Sequence, residues 1–166
     1  DVFARALGFG LRAVAGVEAL ALDGSSIEIS PWLLICTFLL ATFLALAKRR
    51  NEISSFEREG KTAAEHRAVL DEYTLPLLDQ MTAAVSSATI VAYALYTFDE
   101  RTVEAFGSAW LAATTPFVMY GIFRYMYLVH RRQLGGSPEM IFLTDRGILS
   151  CVLLWVLSAG AIIYLV

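Results

Sequence analysis

Long apolar stretches separated by charged segments dominate the chain. Four stretches of 19 or more residues contain no Asp, Glu, Lys or Arg: Ile29–Ala47, Gln80–Phe98, Ala105–Phe123 and Gly147–Val166. A helix of about 20 apolar residues crosses the ~30 Å hydrocarbon core of a bilayer. The pattern therefore predicts an all-α integral membrane helical bundle in which each stretch forms one transmembrane helix.

A fifth span is predicted at the start of the chain, where Val2–Leu22 is apolar apart from Arg5, Arg12 and Glu18. Arg5 and Arg12 lie seven residues apart and share one face of a helix. A charge at membrane depth usually faces the bundle interior or a watery cavity. We therefore expect a spanning helix with its polar face turned inward. An amphipathic helix on the membrane surface is the alternative.

The other spans are bounded by local signals in the sequence. Ser30-Pro31 has the pattern of an N-cap followed by proline at the first helical position. The predicted spans are 31–47, 73–98 (beginning at Tyr73 or Pro76), 108–129 and 147–166, separated by two longer loops at 48–72 and 130–146. Within the first of these loops, a short amphipathic helix is expected in Ile53–Glu72. Residues 1–166 are expected to form a single transmembrane domain.

Composition supports the membrane assignment. The chain is 57% apolar and only 17% charged, against about 25% charged residues in a typical soluble domain, and its mean hydropathy is +0.60. These values exclude a soluble enzyme, a disordered chain and a disulfide scaffold. The two cysteines, Cys36 and Cys151, lie inside apolar runs and are interpreted as small buried side chains.

The distribution of Lys and Arg predicts the orientation. Loop 48–72 carries six, loop 130–146 carries three, loop 99–107 carries one, and loop 23–30 carries none. Because positively charged loops stay in the cytoplasm, the two long loops are predicted to be cytoplasmic.

Candidate binding residues gather at the cytoplasmic helix ends. Lys48, Arg49 and Arg50 directly follow an apolar span, and Glu52 is an i,i+4 neighbour of Lys48 if the helix continues. A stop-transfer signal that anchors to lipid headgroups is the alternative interpretation of these three cations.

A second group, Asp71, Tyr73 and Asp79, marks the start of the next span. Asp79 lies at the apolar boundary, where an unpaired carboxylate is costly, so it should meet a cation, a metal ion or a polar cavity. Arg124-Tyr125 forms a third group, for which snorkelling to the headgroups is the alternative.

Mixed cations and carboxylates on one membrane face suit a phosphorylated substrate and its divalent ion. Arg and Lys bind phosphate oxygens, and carboxylates hold Mg²⁺. A fourth group, Glu139, Asp145 and Arg146, lies in the last loop. His66 and His130 have no partner spacing and are expected to be surface residues.

Several segments resemble the UbiA superfamily of intramembrane prenyltransferases, and more closely its decaprenyl-phosphate phosphoribosyltransferase branch. They are FGLRAVAG (Phe9–Gly16), SPWLLICTFLLATFLALAKRRNE (Ser30–Glu52), DEYTLPLLDQM (Asp71–Met81), FRYMYLVHR (Phe123–Arg131) and SPEMIFLTDR (Ser137–Arg146). The KRRNE and FRYMYLV elements are the most specific of them.

The resemblance implies about nine transmembrane helices around a cavity, with two polar motifs on the cytoplasmic side. In this branch the second motif is of the basic KRRxE type, which Lys48–Glu52 matches. The implied reaction transfers 5-phosphoribose from phosphoribosyl pyrophosphate to a polyprenyl phosphate with Mg²⁺. It takes place at a bacterial inner membrane and feeds cell-wall arabinan synthesis. No nucleic-acid partner is expected.

The resemblance also implies roles for the candidate residues. Donor phosphates would contact Lys48, Arg49 and Arg50, while Tyr73 would bond the sugar. Glu52, Asp71 and Asp79 would bind ribose hydroxyls or a second metal, Glu52 and Asp71 being the metal candidates. The acceptor phosphate would contact Arg12, Arg124 and Tyr125.

One departure from the family pattern is large, because its first motif, of the NDxxDxxxD type, does not occur in this sequence. The chain is therefore expected to correspond to the C-terminal part of a longer enzyme and to lack the main Mg²⁺ site on its own. A prenyltransferase acting on an aromatic acceptor would instead predict DxxxD spacing at the second motif. A transporter or non-catalytic membrane subunit would predict spans broken at the midplane.

Overall fold

The computed structural model describes residues 30–58, 73–132 and 138–165, together with isolated helical positions between residues 4 and 16. Within these ranges the chain is helical and contains no strand. The helices are α1 (Pro31–Arg58), α2 (Leu75–Phe98), α3 (Glu100–Phe106), α4 (Thr115–Tyr127), α5 (Pro138–Thr144) and α6 (Arg146–Leu165). A 3₁₀ segment, Ala109–Thr114, precedes α4, and one π-helical turn, Leu128–Arg132, follows it.

Three of the described helices are long and apolar enough to cross a membrane: Pro31–Ser55, Leu75–Phe98 and Arg146–Tyr164. They confirm the predicted all-α membrane helical bundle and three of its five expected spans. The expected first span, 2–22, falls outside the described residues except for isolated positions.

The expected span at 108–129 differs from the prediction. Residues 109–132 are helical throughout, but they divide into the 3₁₀ segment, the 13-residue α4 and the π-helical turn. Pro116 lies in the first turn of α4 and has no N–H to donate to the preceding turn. The path across the bundle is therefore made of three short helical pieces rather than one regular helix.

The two predicted loops are also partly helical. α1 continues to Arg58 instead of ending near Ala47, and α5 lies within 130–146. No Gly or Pro interrupts 48–58, and Lys, Arg and Glu are good helix formers. The side chains change from apolar to polar at the membrane boundary, but nothing in the sequence there prevents the backbone from remaining helical.

Small side chains hold α1 against α2. The buried face of α2 includes Thr82, Ser86, Thr89 and Ala92, at helical spacing. Small residues let two membrane helices approach closely. Two of these hydroxyls bond to their own helix, since Ser86 Oγ donates to the Ala83 carbonyl at 2.8 Å and Thr89 Oγ1 donates to the Val85 carbonyl at 2.7 Å. Among the described helices, α1 and α2 share the most extensive contact.

Polar contacts at two places join the helices away from the α1–α2 contact. At the start of α1, Ser30 Oγ donates to Asp99 Oδ2 at the end of α2, 3.4 Å away. Farther inside, Tyr93 Oη lies 2.7 Å from Thr114 Oγ1 and accepts from Trp155 Nε1 at 2.9 Å. α2, the 3₁₀ segment and α6 therefore meet at one hydroxyl.

The main apolar core lies near the other end of the bundle. It joins α1 to the α4 region, α5 and α6 through Phe43, Ala47, Ile122, Tyr125, Leu128, Val129, Ile141 and Ile148. A smaller cluster of Leu46, Ile53 and Leu78 joins α1 to α2. Several of these core residues are adjacent in sequence to charged residues: Ala47 to Lys48, Leu78 to Asp79 and Tyr125 to Arg124. The packed core therefore fixes the backbone that carries these charged side chains.

Candidate functional site

Charged side chains from four helical segments converge at one end of the bundle. The C-terminal part of α1 meets the start of α2, and the π-helical turn after α4 and the start of α6 lie beside them. We call this region the charged end, and its members are Lys48, Arg49, Arg50, Glu52, Asp79, Arg124, His130, Asp145 and Arg146. The convergence follows from the antiparallel order of the helices.

The run at 48–52 lies on one continuous helix, α1. Arg49 Nη1 donates to Glu52 Oε2 at 3.1 Å, and the Arg49 side chain is only 5% exposed. Lys48 is exposed on the same turn. Glu52 therefore pairs with Arg49, three residues before it, rather than with its i,i+4 neighbour Lys48.

Asp79 joins three segments of the bundle. Its Oδ1 accepts from Arg50 Nε of α1 at 2.5 Å and lies 3.2 Å from His130 Nε2 of the π-helical turn. Asp79 was expected to meet a cation, a metal ion or a polar cavity, and the structure shows the first of these.

The expectation that His130 is a surface residue is confirmed. Its side chain is exposed, but it contacts Asp79, which lies 51 positions earlier in the sequence. No pattern of local spacing signals such a contact.

A second interhelical ion pair joins α4 to α6. Arg124 donates to Asp145 through Nε at 3.2 Å and Nη2 at 2.9 Å. Asp145 Oδ1 also accepts the Ile148 backbone N–H at 3.0 Å, so Asp145 caps the first turn of α6. The hydrogen bonds from Arg124 hold the pKa of the Asp145 carboxyl below its usual value.

The other predicted site residues have different surroundings. Tyr125 is 2% exposed and lies in the core, with its ring 5.4 Å from Phe43 and 5.8 Å from Phe142. Tyr73 is half-buried against the smaller apolar cluster. Arg12 occupies an exposed helical position, and Asp71 lies outside the described residues. Their expected roles stay predictions.

The described residues do not fit a Mg²⁺ site. No group of three or more His, Cys, Asp or Glu side chains comes together among them. The carboxylates of Glu52, Asp79 and Asp145 each accept from an arginine instead. The metal role expected for Glu52 and Asp71 therefore has no geometric support in the described part of the chain and stays a prediction.

The chemistry of the charged end suits phosphate oxygens. Carboxylates hold three guanidinium groups in fixed directions, and Lys48 and Arg146 add exposed cations. Arginine recognises phosphate through several parallel N–H donors. Fold and site together define an all-α membrane protein with a basic surface at one end of its bundle.

Comparison with known proteins gives a narrower resemblance. The chain is 32% identical to the decaprenyl-phosphate phosphoribosyltransferase of Mycolicibacterium smegmatis, an alignment that covers 99% of this chain and 51% of the relative. It is 31% identical to the protein of that name from Corynebacterium glutamicum (99% and 47% covered) and 30% identical to that from Mycobacterium tuberculosis (91% and 46% covered). No protein-family model matches the chain.

These relatives confirm the resemblance to the decaprenyl-phosphate phosphoribosyltransferase branch. The similarity extends along nearly all of this chain, including the charged end. The chain spans about half the length of the curated relatives it matches.

Proposed function

We propose that this chain is part of a membrane enzyme that transfers 5-phosphoribose from phosphoribosyl pyrophosphate to a polyprenyl phosphate. One observation carries the proposal. The basic run at 48–50 is buttressed by Glu52 and Asp79 at one end of the bundle, in a chain similar to proteins named decaprenyl-phosphate phosphoribosyltransferase.

The proposed reaction is a substitution at the anomeric carbon of the donor. An oxygen of the acceptor phosphate forms the new bond to this carbon as its bond to pyrophosphate breaks. The leaving pyrophosphate takes the electron pair and gains negative charge. Lys48, Arg49 and Arg50 bind the donor phosphates and stabilise that charge, because donors fixed before the reaction need no reorganisation during it.

The carboxylates orient these cations in the proposed site. Glu52 holds Arg49, and Asp79 holds Arg50 through Nε. The terminal nitrogens of Arg50 are proposed to donate to the donor phosphates. Asp71 and Tyr73 are proposed to contact the ribose hydroxyls.

The acceptor side of the site is proposed to involve Arg12, Arg124 and Tyr125. Because Arg124 uses Nε and Nη2 for Asp145, its Nη1 is the nitrogen left to meet an acceptor phosphate. The apolar helix surfaces of the bundle hold the lipid tail.

The reaction is proposed to need Mg²⁺, whose main site the resemblance assigns to the Asp-rich motif that does not occur in this sequence, with Glu52 and Asp71 as candidates for a second ion. The protein is proposed to lie in a bacterial inner membrane with its charged end on the cytoplasmic side, where the water-soluble donor is available. The product would serve as a lipid-linked precursor of cell-wall arabinan.

The test measures transfer of labelled phosphoribose to polyprenyl phosphate, with Mg²⁺, in membranes that carry this chain. A parallel sample carries the chain together with its upstream coding region. Transfer in either sample supports the proposal. Absence of transfer in both, with both proteins inserted in the membrane, contradicts it.

Variants of the basic run test its role in the active sample. Lys48→Ala and Arg49→Ala should each lower transfer at least tenfold without lowering membrane insertion, since a hydrogen bond to a charged group contributes about 1.5–3 kcal/mol. Arg101→Ala, which removes a cation near the opposite end of the bundle, is the matched control. Near-normal turnover in both test variants would leave only the anchoring role of the run.

A further inference from the structure

The short helix α5 has no polar side along its second half. Residues 140–143 are Met, Ile, Phe and Leu, and each residue of an α-helix is turned by about 100° from the one before it. Four consecutive apolar residues therefore surround the helix axis. A helix that is apolar all round is normally buried on all sides.

The structure covers only one side of α5. Ile141 is 2% exposed and belongs to the main apolar core. Leu143 lies about 200° farther round the helix and is 72% exposed, and Met140 is 59% exposed. Within the described residues the outward side of α5 is therefore uncovered apolar surface, which is typical of a protein or membrane contact.

Neighbouring contacts fix the direction of this uncovered side. The ring of Phe142 lies 5.8 Å from the ring of the buried Tyr125. The Asp145 backbone N–H donates to the Ile141 carbonyl at 3.0 Å, and the Asp145 side chain caps α6 and pairs with Arg124. The backbone of α5 is thus bonded to the start of α6 and its inner side is packed, which leaves Leu143 pointing outward.

The length of α6 gives the level of α5 in the membrane. The span Arg146–Tyr164 has 19 residues and extends about 28 Å at 1.5 Å per residue, which is nearly the whole of the ~30 Å hydrocarbon core. Arg146 therefore lies at the boundary of that core. Because α5 ends at Thr144, it lies at the same boundary.

The helix that follows α5 already exposes apolar side chains to lipid. Leu149, Val152 and Leu153 are exposed on α6, which is long and apolar enough to cross the membrane. α5 is joined to α6 through Asp145 alone, so its uncovered side chains lie at the edge of the same lipid layer. The exposed cation of Arg146 at the junction suits the anionic headgroups of such a layer.

A helix of equal length near the other end of the bundle has the opposite character. α3 also has seven residues, but its exposed positions include Glu100, Arg101 and Glu104. Charged side chains on the outward side are typical of a helix in contact with water. A short helix beside the membrane therefore does not expose apolar residues merely because of where it lies.

We propose that α5 is an interfacial helix whose uncovered side, with Met140 and Leu143, inserts among the acyl chains of the leaflet at the charged end. The partner of this surface is the lipid layer itself. Removal of apolar side chains from water and the attraction of Arg146 to anionic headgroups stabilise the insertion. The insertion also fixes the depth of the junction between α5 and α6, where Asp145 holds Arg124.

Fluorescence quenching in bilayer nanodiscs of phosphatidylcholine and phosphatidylglycerol tests the proposal. In a background without Cys36 and Cys151, Met140→Cys and Leu143→Cys each carry a single NBD label, and Glu104→Cys on α3 is the matched control. Labels at 140 and 143 should be quenched by lipids brominated in their acyl chains, at a depth of about 5–10 Å inside the headgroup boundary. The label at 104 should be quenched by iodide from the water instead.

The measurement is made on this chain and on the chain with its upstream coding region. Iodide quenching at 140 and 143 equal to that at 104 would place α5 in water and overturn the proposal. Protection from both quenchers in either protein would overturn it too, because a protein segment or a second copy would then cover α5. If one labelled variant has a lowered unfolding temperature, the other position decides alone.

This experiment uses no substrate, so it is independent of the transfer assay. Lipid quenching at 140 and 143 without phosphoribosyl transfer would retain the interfacial helix and reject the proposed function. Transfer by a protein whose α5 labels are quenched only from the water would do the reverse.

Discussion

At Gly147 a hydrogen in place of a methyl group decides how closely α4 approaches α6. A Cβ built there would lie 2.9 Å from Asp145 Oδ1, 3.1 Å from Arg124 Nε and 3.1 Å from the Tyr120 hydroxyl. The first distance is shorter than real Cβ contacts, and two of the three obstructing atoms belong to the Arg124–Asp145 ion pair. Glycine at this position therefore allows the Arg124–Asp145 pair to form against the backbone of α6.

Gly147→Ala should destabilise the protein by about 1–3 kcal/mol, the usual range for adding a methyl group to a filled site. Gly160→Ala is the control, because it lies on the same helix and its Cβ would meet nothing within 4 Å. Thermal unfolding in detergent measures both. Equal unfolding temperatures for the two variants would contradict the close approach at Gly147.

The Arg124–Asp145 pair should also appear in the pH dependence of stability. Hydrogen bonds from Arg124 lower the pKa of Asp145 in the folded protein, whereas an unfolded Asp titrates near ~3.9. The stabilisation is therefore complete above that pH and is lost as the pH falls through the lower pKa of the folded state.

Asp145→Asn, which keeps an N-capping side chain, should lower the unfolding temperature by a constant amount from pH 7 to 5. The difference from wild type should shrink below about pH 4. A difference that stays constant down to pH 2 would show that the ion pair is not its source.

At the scale of helices, one hydroxyl holds three segments together. Tyr93 contacts Thr114 and Trp155, so its loss leaves an indole N–H without its acceptor. Interhelical hydrogen bonds in membrane proteins contribute about 0.6 kcal/mol on average and up to about 1.7.

Tyr93→Phe should therefore destabilise the bundle by about 0.6–1.7 kcal/mol in denaturant unfolding from mixed micelles. Tyr96→Phe removes a hydroxyl from the next turn of α2 that makes no hydrogen bond within the described residues, and it should have a smaller effect. The reverse order of the two variants would argue against a joining role for Tyr93.

The helical elements also show how far sequence reasoning reaches. Spans such as 75–98 could be predicted because a membrane span is recognised from the mean hydropathy of about 20 residues. One untypical residue changes that mean very little. The division at 109–132 was not, because proline placement and a π-helical turn alter hydrogen bonding without altering hydropathy. The helical continuation of α1 to Arg58 was missed for a similar reason.

At the candidate site, the contacts between helices could not be predicted from the sequence. The need of Asp79 for a cation, a metal ion or a polar cavity followed from its position at the apolar boundary, but its partners Arg50 and His130 lie 29 and 51 residues away. Asp145 was noted as charged, yet its pairing with Arg124, 21 residues earlier, depends on how α4 meets α6. Sequence patterns within one helix carry no record of such distances.

For the whole molecule, the distribution of Lys and Arg predicts that the charged end faces the cytoplasm. In a background without Cys36 and Cys151, a cysteine at the exposed position 100 should react with an impermeant thiol reagent in intact cells. A cysteine at the exposed position 146 should react only after the membrane is opened. The opposite pattern of labelling would reverse the proposed orientation.

The length of α1 also has a consequence for the surrounding lipid. Its 28 residues extend about 42 Å at 1.5 Å per residue, whereas the hydrocarbon core is only ~30 Å thick. The basic run begins about 26 Å along this rod. With the first turn at the opposite boundary, this position lies about 4 Å inside the near edge of the ~30 Å core. The acyl-chain length of the host lipids therefore sets the depth of Lys48, so membrane thickness determines whether the run stands among headgroups or is drawn into hydrocarbon.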